Sequence, residues 1–76
     1  MYQYFTIESR TSEGLEDNVQ TVFITTKMDE AIKEFNNCSH FCSQAINSTY
    51  TYSYTLYGWA NNREKKIIQE CDNLGQ

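Results

Sequence analysis

The chain has 76 residues and a mass of 8.9 kDa, with ten acidic residues against six basic ones, a net charge of −4 and no proline. That length holds one small domain and excludes a two-domain enzyme with a cleft between lobes; a chain this short buries only about 60% of its unfolded surface and has little structure to spare for a deep cavity. A pI near 4.7 has the wrong sign for phosphate-led nucleic-acid binding or for adhesion to an anionic membrane.

Tyr2 to Ser9 alternates, with Phe5 and Ile7 on one side and Tyr2, Tyr4 and Thr6 on the other, which is the period of a strand. Val19 to Thr26 repeats the pattern, with Val22 and Ile24 on the side assigned to the core and Thr21, Phe23 and Thr25 opposite. The polar stretch Arg10 to Asn18, containing Gly14, reads as the loop between them. Thr26 with Asp29 three residues on reads as an N-cap and an acidic first turn. Met28, Ala31, Ile32, Phe35, Cys38, Cys42, Ala45 and Ile46 then fall on one stripe, so the spacing predicts a long helix through Asn47 whose weak point is Asn36-Asn37. Thr49 to Trp59 sets Tyr50, Tyr52, Tyr54 and Leu56 against Thr49, Thr51, Ser53, Thr55, Tyr57 and Trp59, a long strand. Asn61 with Glu64, the stripe Ala60, Ile67, Ile68, Cys71 and Leu74, and Gly75 at the C′ position predict a closing helix.

The expected fold is therefore α+β, ββαβα in order, with a three-stranded antiparallel sheet of order 2-1-3 and two helices on one face. Its core would hold Phe5, Ile7, Val22, Ile24, Met28, Ala31, Ile32, Phe35, Cys42, Ile46, Tyr52, Tyr54, Leu56, Ile67, Ile68 and Cys71.

Catalytic and metal chemistry finds little footing. Cys38, His40, Cys42 and Cys71 are four soft ligands, but His40, two residues from Cys38 and Cys42, points to nearly the opposite side of a helix, so the thiols read as small hydrophobes and His40 as solvated. No nucleophile elbow, phosphate-binding glycine loop or paired-carboxylate signature occurs, so neither an enzyme nor a cofactor is expected. Met1 to Ile7 holds no export signal and no run of 18 apolar residues occurs, so no membrane span is expected, and three cysteines that cannot all pair fit reduced thiols in a cytoplasm.

Two surface features remain. Tyr2, Tyr4, Phe23, Tyr57 and Trp59 all alternate away from the side given to the helices, and aromatics on a rigid sheet supply the large area and low entropy cost that interface anchors require. The acidic residues Glu13, Glu16 and Asp17, with Glu30 and Glu34 on the first helix, read either as a solvated surface or as a patch for a protein partner with a basic surface. An aromatic sheet also resembles the platforms on which single-stranded nucleic acids stack, although no basic groove accompanies it, and pairing of two such faces would give a homodimer.

At the level of class, this tiny acidic α+β chain, rich in Asn, Gln, Thr and Tyr and without catalytic signatures, resembles the small inhibitor proteins of bacteriophages and mobile elements, anti-CRISPR proteins among them. The resemblance implies stoichiometric inhibition of a host nucleic-acid-handling or defence complex, of which a CRISPR effector complex is one kind.

Overall fold

The computed structural model describes residues 1–74; Gly75, the expected C′ residue of a closing helix, lies outside them. Four strands and one helix follow in the order β1 (Tyr4–Glu13), β2 (Glu16–Thr25), α1 (Met28–Gln44), β3 (Thr51–Trp59) and β4 (Lys65–Asp72). All three neighbouring pairs are antiparallel and the sheet order is β2-β1-β3-β4. The inner 2-1-3 order matches the sequence reading, but the sheet has a fourth strand and the described residues hold a single helix, so the three-strand, two-helix architecture is corrected.

The segment expected as a second helix is the edge strand β4. Its ladder with β3 runs from Tyr54 opposite Cys71 to Leu56 opposite Gln69, then jumps to Tyr57 opposite Ile67, which leaves Ile68 as an extra residue in a bulge. The extra residue lets Ile68 and Cys71, three apart, both turn toward the core. A bulged strand thereby carries the spacing of a helical stripe, which is why periodicity misassigned it. The Asn61 and Glu64 pair does cap, but it caps a turn: Asn61 Oδ1 accepts from the Arg63 and Glu64 N–H groups, and Ala60 N–H donates to the Glu64 carbonyl, closing the β3–β4 hairpin.

The expected loop Arg10 to Asn18 is mostly strand. The β1–β2 ladder continues to Glu13 opposite Glu16, leaving a two-residue turn of Gly14 and Leu15. Gly14 has φ of 61° and no non-glycine residue among the described residues has positive φ, the backbone of a turn with glycine at its first central position. A second bulge, at Val22, sits in the other edge strand: Ile7 faces Phe23 while Glu8 faces Thr21.

Helix α1 crosses one face of the sheet. Ala31 and Phe35, one turn apart, meet Phe5 and Ile7 of β1 and Leu56 of β3, with Ala31, Ile7 and Leu56 fully excluded from solvent. A fully buried Ile or Leu contributes roughly 1.5–3 kcal/mol, and the small Ala31 lets the helix lie close to the sheet. Phe41 extends the contact edge-on to Tyr52 at 5.0 Å and Tyr54 at 6.2 Å. The helix is capped at Lys27, not at Thr26; Thr25 Oγ1 accepts from the Lys27 N–H and donates to Glu30 Oε1. It runs unbroken through the exposed Asn36 and Asn37 and stops at Gln44, short of Asn47. Val22, Ile24, Met28, Ile46 and Ile67, expected in the core, are exposed, because one helix shelters less of the sheet than two would and the inward place on β2 goes to Phe23.

Asn73 ties the end of the chain to this frame. It is 3% exposed; its Nδ2 donates to the carbonyls of Ala45 and Tyr50, its Oδ1 accepts from the Tyr52 N–H, and its own N–H donates to the Tyr52 carbonyl. One amide side chain thus satisfies backbone groups at the end of α1 and at the start of β3 that the sheet and helix leave unpaired.

Candidate functional site

Among the described residues no element covers the face of the sheet away from α1, and side chains of alternate residues define it. Three of the five aromatics expected there are present. Tyr4 and Trp59 face each other across β1 and β3 and stack with ring centroids 5.5 Å apart and planes 7° from parallel. The indole Nε1–H donates to Thr6 Oγ1 at 2.8 Å, which fixes the ring, and Thr6 is buried beneath it. Tyr57 stands in the next row, and Lys65, opposite Trp59 on β4, sets its Nζ 4.2 Å from the Tyr57 centroid and 5.1 Å from that of Trp59.

The other two aromatics belong to the core side, which corrects the sequence reading. Tyr2 folds across Gly58 and meets Phe5 edge-on at 5.8 Å; a Cβ added at Gly58 would lie 2.7 Å from the Tyr2 ring. Phe23 packs against the core from β2. Strand alternation separates the residues into two sets without saying which is covered, and before Tyr4 the chain leaves the regular ladder, so Tyr2 does not follow the phase of Tyr4.

The open face gains three residues that sequence reasoning missed. Register places Ile24, 66% exposed, beside Thr6, and Ile67, 57% exposed, beside Tyr57, so that two aliphatic side chains flank the rings on the edge strands. Lys65 is the third. Had Lys65–Asp72 been recognised as a strand, hairpin register from the Asn61 turn would have set Lys65 opposite Trp59. Toward the middle of the face, Glu8, Thr55 and Glu70 share a row, followed by Arg10, Ser53 and Asp72. The face is therefore aromatic and apolar with one cation at one end and mixed in charge beyond it.

The acidic residues do not join this patch. Glu13, Glu16 and Asp17 lie at the tip of the β1–β2 hairpin, about 30 Å from the Trp59 end at strand rise. There Glu13, Glu16, Asp17 and Asn18 line a shallow groove with Leu15 and Tyr50, and Ser12 Oγ–H donates to Asp17 Oδ1. Glu30 and Glu34 are on α1, on the other side of the sheet. The ten residues expected to bind a partner thus fall into an open aromatic face, an acidic tip, two helix carboxylates and two core rings.

A third feature is a cluster of thiols between α1 and β4. Cys38 and Cys42 are one helical turn apart, and the Cys71 thiol approaches the Cys42 sulfur at 3.7 Å. Burial pushes the Cys42 thiol up to about 12, with the Cys71 hydrogen bond adding to the shift. Burial also raises Cys38, helped by the charge of Glu34, and raises Cys71, where hydrogen bonding with Cys42, the Tyr54 backbone and Ser39 acts in the opposite direction. Tyr54 above them is raised for the same reason. All are protonated at neutral pH. His40 is exposed, and among the described residues no group of three or more His, Cys, Asp or Glu side chains is arranged to hold a metal ion. No helix among them is long and apolar enough to cross a membrane.

No family model, no curated protein and no solved structure matches the chain.

Proposed function

We propose that the protein is a non-catalytic, cytoplasmic binding module that docks the open face of its sheet onto a protein partner and acts by occupying that partner's surface. The observation that carries this reading is the aromatic end of the face: Tyr4, Trp59 and Tyr57 are held by stacking, by the Thr6 hydrogen bond and by Lys65, with Ile24 and Ile67 exposed beside them. Rings fixed before binding lose little freedom on docking, and aromatic residues are enriched in protein interfaces. The acidic hairpin tip supplies the second element. Far from the rings, it acts on the rate of encounter with a basic partner more than on the strength of the final contact. A basic surface is what a nucleic-acid-handling complex presents, and inhibition of such a host or defence complex, with CRISPR effector complexes among the candidates, is the role that the class resemblance supports.

A second reading, stacking of a single-stranded nucleic acid on the same rings, is favoured by Lys65 over Tyr57 and Trp59 and by Arg63 and Lys66 in the same hairpin. Glu8 and Glu70, in the row beyond the rings, oppose it by repelling phosphates.

The test is affinity capture from bacterial lysate by the wild type, by Tyr57→Ala and by the triple reversal of Glu13, Glu16 and Asp17 to Lys. The reading expects a stoichiometric partner that Tyr57→Ala fails to retain and that the reversal captures slowly and with weakened salt dependence. Equal capture by all three removes both surfaces from the account. Titration of single-stranded oligonucleotides at low salt against Trp59 fluorescence addresses the second reading: quenching favours stacking, and its absence leaves the protein partner.

A further inference from the structure

The thiol cluster has no part in the open face, and its geometry bears on a different chemistry. Cys42 lies on α1 and Cys71 on β4, and their sulfurs are 3.7 Å apart, within reach of a thiol hydrogen bond. A disulfide needs about 2.05 Å between sulfurs and Cβ atoms roughly 3.5–4.5 Å apart. Rotation about two side-chain bonds, with a small approach of an edge strand, closes a gap of that size. Cys38 is differently placed toward Cys42: residues one turn apart on a helix keep their Cβ atoms about 5–6 Å apart, beyond disulfide reach while α1 stays intact.

We propose that Cys42 and Cys71 are a reversible oxidation site that forms an intramolecular disulfide on exposure to a low-molecular-weight disulfide such as oxidised glutathione. The order of events follows from access. Cys42 is 1% exposed, whereas Cys71 is half-buried on an edge strand. Cys71 loses its proton to solvent, and its thiolate attacks one sulfur of the oxidant, whose S–S bond breaks and releases one small thiolate. Cys42 then gives up its proton and attacks the Cys71 sulfur; the mixed disulfide breaks and the second small thiolate leaves. Two protein thiols are oxidised, one oxidant disulfide is reduced to two thiols once the released thiolates are reprotonated, and no other reactant is required. The burial that raises both thiols makes the reaction slow at neutral pH and faster as pH rises toward their ionisation. The product clamps β4, the outermost strand, to the helix. Cys38, half-buried beside the pair, stays a free thiol.

The experiment is incubation of the full chain with oxidised glutathione, followed by alkylation under denaturing conditions, intact mass measurement and peptide mapping, with Cys38→Ala and Cys71→Ala alongside. The wild type is expected to fall from three alkylatable thiols to one, to lose the mass of two hydrogen atoms as a monomer, and to yield a Cys42–Cys71 linked peptide. Cys38→Ala should form the same bond. Cys71→Ala, a change at a half-buried edge position, should form no intramolecular disulfide, and far-UV circular dichroism confirms that it is folded. A wild-type protein that keeps three thiols, a mapped bond to Cys38, or a covalent dimer as the sole product overturns the proposal. So does a rate in the wild type that does not rise between neutral and mildly alkaline pH.

Discussion

Replacing Asn73 by Ala removes three side-chain hydrogen bonds at once, two donated to the carbonyls of Ala45 and Tyr50 at 2.8 and 2.9 Å and one accepted from the Tyr52 N–H at 2.8 Å. Each such bond contributes about 1 kcal/mol net, and a buried partner left unsatisfied costs about 1–3 kcal/mol, so the expected loss is about 3 kcal/mol. Against a total stability of about 4–11 kcal/mol for a chain of this length, that is a large fraction. The loss should appear in urea denaturation followed by Trp59 fluorescence as a lower midpoint with an unchanged slope. Asn73→Asp keeps the acceptor toward Tyr52 but turns an oxygen toward two carbonyls, so it should be at least as damaging. Asn62→Ala, in the exposed β3–β4 turn, should change stability by less than about 0.5 kcal/mol. If Asn73→Ala also falls within that margin, the amide does not join the end of α1 to the sheet, and the description of how the C-terminal strand is anchored is wrong.

Gly58→Ala should destabilise by about 1–3 kcal/mol and release the Tyr2 ring, because the added Cβ would sit 2.7 Å from it. A Tyr2→Ala background should erase most of that cost in a double-mutant cycle, and additive losses would contradict the contact. Stability should fall as pH rises above about 9, since Cys38, Cys42, Cys71 and Tyr54 are all raised in the folded chain. The sign follows from proton counting: unfolded thiols release protons near 9 while the folded Cys42 holds its proton to about 12, so between those values the unfolded chain binds fewer protons and alkali favours it. Urea midpoints measured across this range under reducing conditions should decline more steeply for the wild type than for Cys42→Ala, and parallel profiles would refute the assignment.

How far the residues reveal the fold depends on which element is asked. The inner strands and the helix are legible because their patterns are unbroken: Phe5 and Ile7 alternate cleanly, Ala31 and Phe35 keep one helical face, and Leu56 holds the inward phase of β3. The edge strands are not. Each carries one extra residue, Val22 or Ile68, and a bulge shifts the alternation by one, so that Ile68 and Cys71 acquire helical spacing while lying in a strand. The Asn61 and Glu64 pair compounds the misreading, since the hydrogen bonds that open a helix also close a turn. The open face is half legible for a related reason. Tyr57 and Trp59 belong to a long regular strand whose phase Leu56 fixes, whereas Phe23 lies beside a bulge and Tyr2 precedes the ladder. Asn73 could not be found from sequence, because its partners come from two segments distant in the chain, the end of α1 and the start of β3, and no local pattern marks them.

The central claim is that the rings facing away from α1 are the surface a protein partner covers. Trp59 is the sole tryptophan, so fluorotryptophan labelling gives a single fluorine NMR resonance from the aromatic end of that surface. The account predicts that adding the captured partner, up to equal amounts, shifts or broadens this resonance and removes its sensitivity to the solvent isotope. A stable complex that leaves the Trp59 resonance unchanged in position, width and solvent sensitivity would contradict it.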